Sequence, residues 1–397
     1  MQRTLIEHAL LIVGSATPSL ETNYESDTGR YDKVQMRHRV DHRPLPNVRI
    51  LDLKDSTRGE KKPQIFSHVL CREVEQNLKK KESTILLLNR RGFSTRIHCP
   101  KCAHVENCPS CQIALTFHQE KNQLVCHYCN FLKPPPDQCS QCKNTLMKFA
   151  GFGTEKLESE ASRLFPGASI ARLDTDVLKK RGAHESILRD FREHKIDILI
   201  GTQMVAKGFD FPNVTLVGIV LADVGLMLPD FRSAERTFQL LTQVAGRAGR
   251  GNLPGRVFIQ TYSPDHPSIV YAREHHYENF CRYELEQRRE YHYPPFVRIV
   301  NIIIRGLVEN KAYLAARAVK EALQAACAEK MLSGPNIQLL GPAPLPFYHL
   351  RGNFRWHVLI KHQLEDAALG DLLSTLDSIK KSAGVMTAVD VDPVNIL

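Results

Sequence analysis

No stretch of this chain is apolar enough to cross a bilayer. A spanning helix needs about 20 consecutive, predominantly apolar residues, whereas the longest apolar runs are Leu10–Val13, Ile196–Gly201 and Val214–Ala222. The start, Met1–Thr17, lacks the uninterrupted apolar core of a signal peptide, because Glu7 and His8 break it. Acidic side chains fall short of basic ones, 43 against 53, and the resulting net charge of +10 favours polyanionic partners without fixing fold or chemistry. A disorder-promoting composition is also missing: 43% hydrophobic and 24% charged residues are enough to bury a sizeable core. A length of 397 residues then suggests two or three domains, with no membrane partner and a cytoplasmic location.

Eight of the eleven cysteines fall into four Cys-x-x-Cys pairs: Cys99/Cys102, Cys108/Cys111, Cys126/Cys129 and Cys139/Cys142. In an intracellular chain such pairs point to metal rather than disulfides. Eight thiolates suffice for two tetrahedral zinc sites, closed to substrate and therefore structural. The pairs can combine sequentially, crossed or nested. The gap of fourteen residues between the second and third pairs is close to zinc-ribbon spacing. It favours a nested arrangement: Cys108, Cys111, Cys126 and Cys129 on one zinc, Cys99, Cys102, Cys139 and Cys142 on the other. His98, His104, His118 and His127 are alternative ligands, each more ordinary as a surface or supporting residue.

Around this segment, helical and strand patterns alternate. Helical spacing over Ile65–Lys80 precedes a strand at Thr84–Leu88. Beyond the cysteines come helices at Glu155–Leu164, Ala183–His194 and Ser233–Val244, between strands at Ser169–Leu173, Ile196–Gly201, Val214–Leu221 and Gly255–Thr261. That order predicts a doubly wound parallel sheet, with the cysteine segment inserted into it. Leu10–Val13 reads as a further buried strand whose neighbours are missing, as though the chain began mid-domain. The basic, Pro-rich stretch Arg30–Lys62 reads as a connection between lobes. Tyr271–Arg289 reads as one linking helix. The rest predicts a small α+β domain: strands at Val297–Ile304, Ile337–Leu340, Arg355–Ile360 and near Ala388, and helices at Asn310–Ala328 and Leu364–Ser382.

Two short segments carry chemistry. Gly201-Thr202-Gln203-Met204-Val205-Ala206-Lys207-Gly208-Phe209-Asp210 follows a buried strand, where α/β proteins bind ligands. Gln243-Val244-Ala245-Gly246-Arg247-Ala248-Gly249-Arg250 sets two arginines three residues apart at a helix end, a spacing suited to forked contacts with phosphate oxygens.

Together with Gly14-Ser15-Ala16-Thr17, these segments resemble motifs III, V and VI of superfamily-2 helicases. Leu87-Leu88-Asn89-Arg90-Arg91-Gly92-Phe93 followed by four Cys-x-x-Cys pairs is similar to one family among them, the replication-restart helicases of the primosomal protein N′ family. Gly153-Thr154-Glu155, Asp230-Phe231-Arg232-Ser233-Ala234-Glu235-Arg236, Tyr293-Pro294-Pro295 and Val389-Asp390-Val391-Asp392-Pro393 extend the resemblance over essentially the whole chain. It implies a RecA-like second helicase lobe at 56–98 and 146–270, a zinc-binding insertion at 99–145 and a first-lobe remnant with the interlobe connection at 1–55. A linking helix at 271–290 and a C-terminal α+β domain at 291–397 would follow.

The resemblance also implies roles. Arg247 and Arg250 would reach ATP phosphates, Arg250 as arginine finger, with Gln243 beside them. Lys207, Gly208 and Asp210 would couple nucleotide to DNA, and Thr202, Gln203, Arg90 and Arg91 would contact DNA, while Thr17 would transmit nucleotide state. In the C-terminal domain Arg351, Arg355 and Trp356, the only tryptophan, form a basic and aromatic stretch suited to single-stranded DNA, with core packing the competing role for Trp356.

One departure stands out. The sequence holds no Gly-x-x-x-x-Gly-Lys-Ser/Thr loop and no Asp-Glu-x-His motif, so ATP and Mg²⁺ would bind only with a complete first lobe. The implied function is ATP-dependent 3′-5′ unwinding at stalled forks and loading of the replicative helicase in a bacterial, nucleoid-associated setting. The partners would be forked and single-stranded DNA, primosome proteins, single-stranded DNA-binding protein and helicase-loading factors. The alternative is a non-catalytic zinc-ribbon module for DNA binding or primosome assembly.

Overall fold

The computed structural model describes residues 6–36, 45–56, 65–88, 96–119, 121–145, 148–150, 153–174, 183–206, 211, 213–249, 254–332, 334–379 and 383–396. In chain order, β1 (Asn47–Asp52) and β2 (Ser83–Leu87) precede the cysteine-rich segment. That segment holds β3 (Arg96–His98), β4 (Thr116–His118), β5 (Gln123–Val125), β6 (Leu132–Lys133) and β7 (Lys148–Ala150). Then come β8 (Ile170–Leu173), β9 (Ile198–Gly201), β10 (Val214–Ile219) and β11 (Arg256–Thr261), followed by β12 (Arg298–Gly306), β13 (Ile337–Leu350), β14 (Asn353–His362) and β15 (Val385–Val391).

The first sheet runs β1-β11-β10-β2-β9-β8, every pairing parallel. Strands β2, β9 and β10 are buried along their whole length, as expected of a parallel sheet covered on both faces. Ile85 and Leu87 of β2 join one core with Leu188, Phe191, Phe238, Leu241 and Ile269. Leu86 points into the other, with Leu70, Val74, Leu157 and Ala161. Helices Ala183–Arg192, Ser233–Ala245 and Pro267–Glu274 thus cover one face, and His68–Lys79 and Thr154–Leu164 the opposite one.

The cysteine segment leaves this sheet through a two-stranded neck, β3 with β7, and carries a three-stranded meander, β4-β5-β6. The last domain is an antiparallel sheet in the order β13-β14-β12-β15. Val300, Ile302 and Ile304 of β12 bury against Ala312, Ala316, Val319 and Leu323 of helix Glu309–Glu329. Ile299 of β12 and Leu359 of β14 face the cysteine segment instead.

Several expectations need correction. Leu10–Val13 is not a buried strand: it forms none and Leu10 and Ile12 are exposed, because among the described residues no strand pairs with it. Asn47–Asp52, read as connection, forms the edge strand β1 beside β11. Its charged residues fit an edge that is only partly covered. The linking helix is two helices, Pro267–Glu274 and Tyr277–Glu290, interrupted at His275, whose φ of 57° is left-handed. The strand expected at Ile337–Leu340 runs on through the prolines to Leu350 as β13, whose pairing with β14 is irregular there. Among the described residues, Leu364–Ser382 contains only the short helix Asp366–Leu373 and a 3-10 turn at Ser374–Ser378.

Candidate metal centres and the lobe surface beside them

Four knuckles of the same construction present the eight thiols. In each, the amide of the residue after the second cysteine donates to the carbonyl of the first: Ala103 to Cys99, Gln112 to Cys108, Asn130 to Cys126 and Lys143 to Cys139, at 2.8 to 3.0 Å. All four donors have left-handed backbones, with φ between 52° and 64°. None is glycine, so the sequence carried no signal of this geometry.

The sulfurs group as Cys99, Cys102, Cys139 and Cys142, and as Cys108, Cys111, Cys126 and Cys129, each set lying within 4.8 Å. This is the nested arrangement that the spacing favours. Sulfur pairs such as Cys99/Cys142 at 3.5 Å and Cys108/Cys129 at 3.6 Å are far too long for a disulfide, about 2.05 Å. They are close to the separation of about 3.8 Å that four thiolates have at about 2.3 Å around one tetrahedral ion. Donor chemistry and spacing therefore fit zinc. The amides of Cys111 and Tyr128 point at Cys108 Sγ and Cys126 Sγ, both at 3.4 Å, and support the thiolate form. Cys71, Cys281 and Cys327 belong to neither group.

Neither group contains any of the four histidines, for which ligation was the less favoured reading. His98 packs against Tyr262, His118 against His127, and His104 lies 2.8 Å from Ser140 Oγ. Ser140 also donates to the buried Glu106 carboxylate at 2.6 Å, and Lys133 reaches its other oxygen at 2.7 Å. Burial alone would raise the Glu106 pKa, but these two donors hold it below the usual range. Glu106 thereby ties the Cys139–Cys142 knuckle to β6, which follows the Cys126–Cys129 knuckle.

The two centres differ in surroundings. Cys108, Cys111 and Cys126 share a core with Tyr128, Phe231, Tyr293, Ile299, Leu359 and Ile396. Tyr293 donates its hydroxyl to the Cys111 carbonyl at 2.7 Å, stacks on Phe231 at 4.6 Å and holds Lys361 Nζ 3.6 Å from its ring centre. Burial lowers the Lys361 pKa to about 8, with the nearby thiols pulling the other way. His357 of β14 reaches the His127 carbonyl at 2.5 Å, and His127 Nδ1 lies 2.7 Å from the Pro344 carbonyl. Burial depresses the His357 pKa to about 4 and keeps the ring neutral. No local sequence signal marks the contacts of Tyr128, Tyr293, His357 and Lys361, whose partners are distant in the chain.

On the parallel sheet, Thr202 and Gln203 stand where β9 ends and helix Gln203–Ala206 begins. A Cβ on Gly201 would lie 2.0 Å from Val205 Cγ2, so this close turn requires glycine. Helix Ser233–Ala245 carries Gln243 and ends at Gly246, with Arg247 in the turn beyond. The Gly249 amide then donates to the Val214 carbonyl at 3.1 Å, and a Cβ on Gly255 would come within 2.4 Å of the Ala248–Gly249 peptide. Val205, Val214, Val244 and Ala248 share one core, which brings the two segments to the same side of the sheet. Arg90, Arg91, Lys207, Gly208, Asp210 and Arg250 lie outside the described residues.

Arg351 is exposed in the left-handed turn between β13 and β14, and half-buried Arg355 approaches the Phe347 carbonyl at 3.4 Å. Trp356 is corrected as a stacking residue. It is 8% exposed and packs against Tyr313 and Tyr348, with ring centres 4.8 and 5.7 Å away. No helix among the described residues is long and apolar enough to cross a membrane.

Comparison with known proteins adds an independent line. Residues 289–394 match the family described as Primosomal protein N C-terminal domain, and residues 108–134 match the PriA DNA helicase Cys-rich region. The replication restart protein PriA of Bacillus subtilis (strain 168) is 40% identical over 96% of this chain and 47% of its own length. The PriA of Synechocystis sp. is 38% identical over 100% of this chain and 47% of its own length. The chain therefore spans about half the length of these relatives. Among solved structures, S. cerevisiae Dbp5 bound to RNA and ADP BeF3 is 12% identical, covers 72% of this chain and 56% of its own, and has a TM-score of 0.36, too remote to carry an argument.

Proposed function

We propose, from the premise that this chain belongs to the PriA family over the region it spans, that it forms the second motor lobe, zinc-bearing insertion and C-terminal domain of a replication-restart DNA helicase. One conjunction carries the reading: a parallel sheet bearing Thr202, Gln203 and Arg247 on the same side, joined through a neck to two Cys₄ groups.

In this reading Arg247 and Arg250 approach the ATP phosphates from the second lobe, with Arg250 neutralising charge in the transition state. Gln243 stands in the last turn of helix Ser233–Ala245, four residues before Arg247. Lys207, Gly208 and Asp210 couple nucleotide to DNA, Thr202, Gln203, Arg90 and Arg91 contact the DNA backbone, and Arg351 and Arg355 meet single-stranded DNA. Zinc, bound by the eight thiolates, supplies closed four-coordinate cross-links rather than catalysis. ATP and Mg²⁺ require a phosphate loop and metal carboxylate that this sequence does not contain. Unwinding in the 3′-5′ direction at stalled forks and helicase loading with primosome proteins and single-stranded DNA-binding protein are accordingly activities of the chain joined to a first lobe. The missing loop favours the second reading, a non-catalytic DNA-binding or assembly module.

The test is ATP hydrolysis by the 397-residue chain, with and without forked DNA, then with a first lobe supplied in trans. DNA binding without turnover, and Arg250-dependent turnover on complementation, is expected. Binding that never acquires Arg250-dependent turnover would select the assembly module. Turnover by the chain alone, lost in Arg250→Ala, would overturn its incompetence.

A further inference from the structure

Two sequence segments have no role in that reading: Asp230-Phe231-Arg232-Ser233-Ala234-Glu235-Arg236 and the closing Val389-Asp390-Val391-Asp392-Pro393. The fold brings them together. Arg232 Nη1 donates to the Pro393 carbonyl at 3.2 Å, and Arg236 Nη2 donates to the Val394 carbonyl at 2.6 Å. Both guanidiniums are aimed from behind. The fully buried Asp230 carboxylate accepts from Arg236 Nη1 at 2.8 Å, and Glu21 accepts from Arg232 Nε at 3.0 Å while Arg232 lies over the Phe231 ring at 4.2 Å. The tail is pinned on either side of the clasp. The Asp392 amide donates to the Ile299 carbonyl at 2.8 Å, and Ile396 is buried in the core around the inner cysteine centre.

We infer that Arg232 and Arg236 are positioning residues: they clasp the carbonyls of the C-terminal tail and so fix the C-terminal domain to helix Ser233–Ala245, whose far end holds the turn bearing Arg247. A forked guanidinium is required, because Arg236 must satisfy Asp230 with one nitrogen and the tail with the other. Reading carbonyls rather than side chains explains how Val394 can hold this position with its side chain 83% exposed. The helix spans thirteen residues, about 20 Å at 1.5 Å per residue; Glu235 and Thr237 near its start are buried, and Phe238, Leu240, Leu241, Val244 and Ala245 are packed in the lobe core. A shift at its first turn is therefore carried to its last. That Arg247 meets nucleotide belongs to the reading above; the clasp does not depend on it.

The test is hydrogen exchange on the intact chain carrying Arg236→Lys, with Arg232→Lys as an independent second variant. Lysine keeps the charge beside Asp230 or Glu21 but cannot fork. Loss of one charge-assisted bond to the tail should speed exchange at 392–396 about tenfold, with a smaller rise at Gly246–Gly249 and two zinc ions retained. Wild-type exchange at the tail in both variants would overturn the clasp. Faster exchange confined to the tail would overturn the positioning role. The reading of this chain as a motor lobe stands or falls separately, on Arg250-dependent turnover.

Discussion

The two cysteine centres share ligand set, knuckle geometry and spacing rule, yet they hold different parts of the molecule together. The outer centre, Cys99, Cys102, Cys139 and Cys142, closes the base of the insertion beside the β3–β7 neck. The inner centre, Cys108, Cys111, Cys126 and Cys129, lies in a core that also contains Tyr293, Ile299, Leu359 and Ile396 from the C-terminal part of the chain. Four thiolates define a site; what they stabilise depends on whose side chains fill the surroundings.

Ligand removal should give the largest contrast. Structural zinc contributes on the order of 10 kcal/mol of folding free energy, so Cys108→Ser is expected to lose one zinc and release the C-terminal domain from the insertion. Cys102→Ser is expected to lose the other zinc while amides around Ile299 and Leu359 stay protected. Native mass spectrometry counts the ions and hydrogen exchange reads the docking. Equal deprotection in the two variants would erase the distinction drawn between the centres.

Acid should separate them next, because the inner centre leans on the buried imidazole of His357. Burial lowers the His357 pKa to about 4, from the ordinary imidazole value of 6.5. A depressed pKa means that the unfolded chain takes up the proton first, so the stability contributed by the neutral ring is complete above about pH 6.5 and lost as pH falls toward about 4. The full effect is about 3 kcal/mol at most. Titrated unfolding of wild type against His357→Gln should show a steeper acid loss in the wild type across that window. Parallel curves would mean that His357 contributes no linked proton.

What the sequence disclosed follows the same division between local pattern and distant contact. Strands β2, β9 and β10 were legible because both faces are buried and the runs are apolar throughout. The grouping of cysteines was legible because a ribbon has a characteristic gap. Edge strand β1 was not, since its Arg49 and Asp52 suit a partly exposed strand and read as loop. Leu10–Val13 failed for the opposite reason: apolarity suggests a strand, but pairing requires a partner that local sequence does not name. Trp356 was ambiguous until Tyr313 and Tyr348 were seen against it. The contacts made by Tyr293, His357 and Lys361 join positions more than 60 residues apart, beyond the reach of any spacing rule.

The smallest effect tests the inner dock most directly. Tyr293→Phe removes one hydroxyl and leaves the ring to stack on Phe231 and face Lys361. Its bond to the Cys111 carbonyl is buried, so its loss leaves that carbonyl without its partner and should cost about 1 to 3 kcal/mol. Zinc content should remain at two, because the knuckle bond from Gln112 to the Cys108 carbonyl is untouched. Equilibrium unfolding and zinc release by a chelator read these two quantities separately. Lower stability together with faster release of the inner zinc alone would show that the C-terminal domain secures the centre it covers. An unchanged release rate would mean that the inner centre supports the dock without being supported by it, making the dependence one-way.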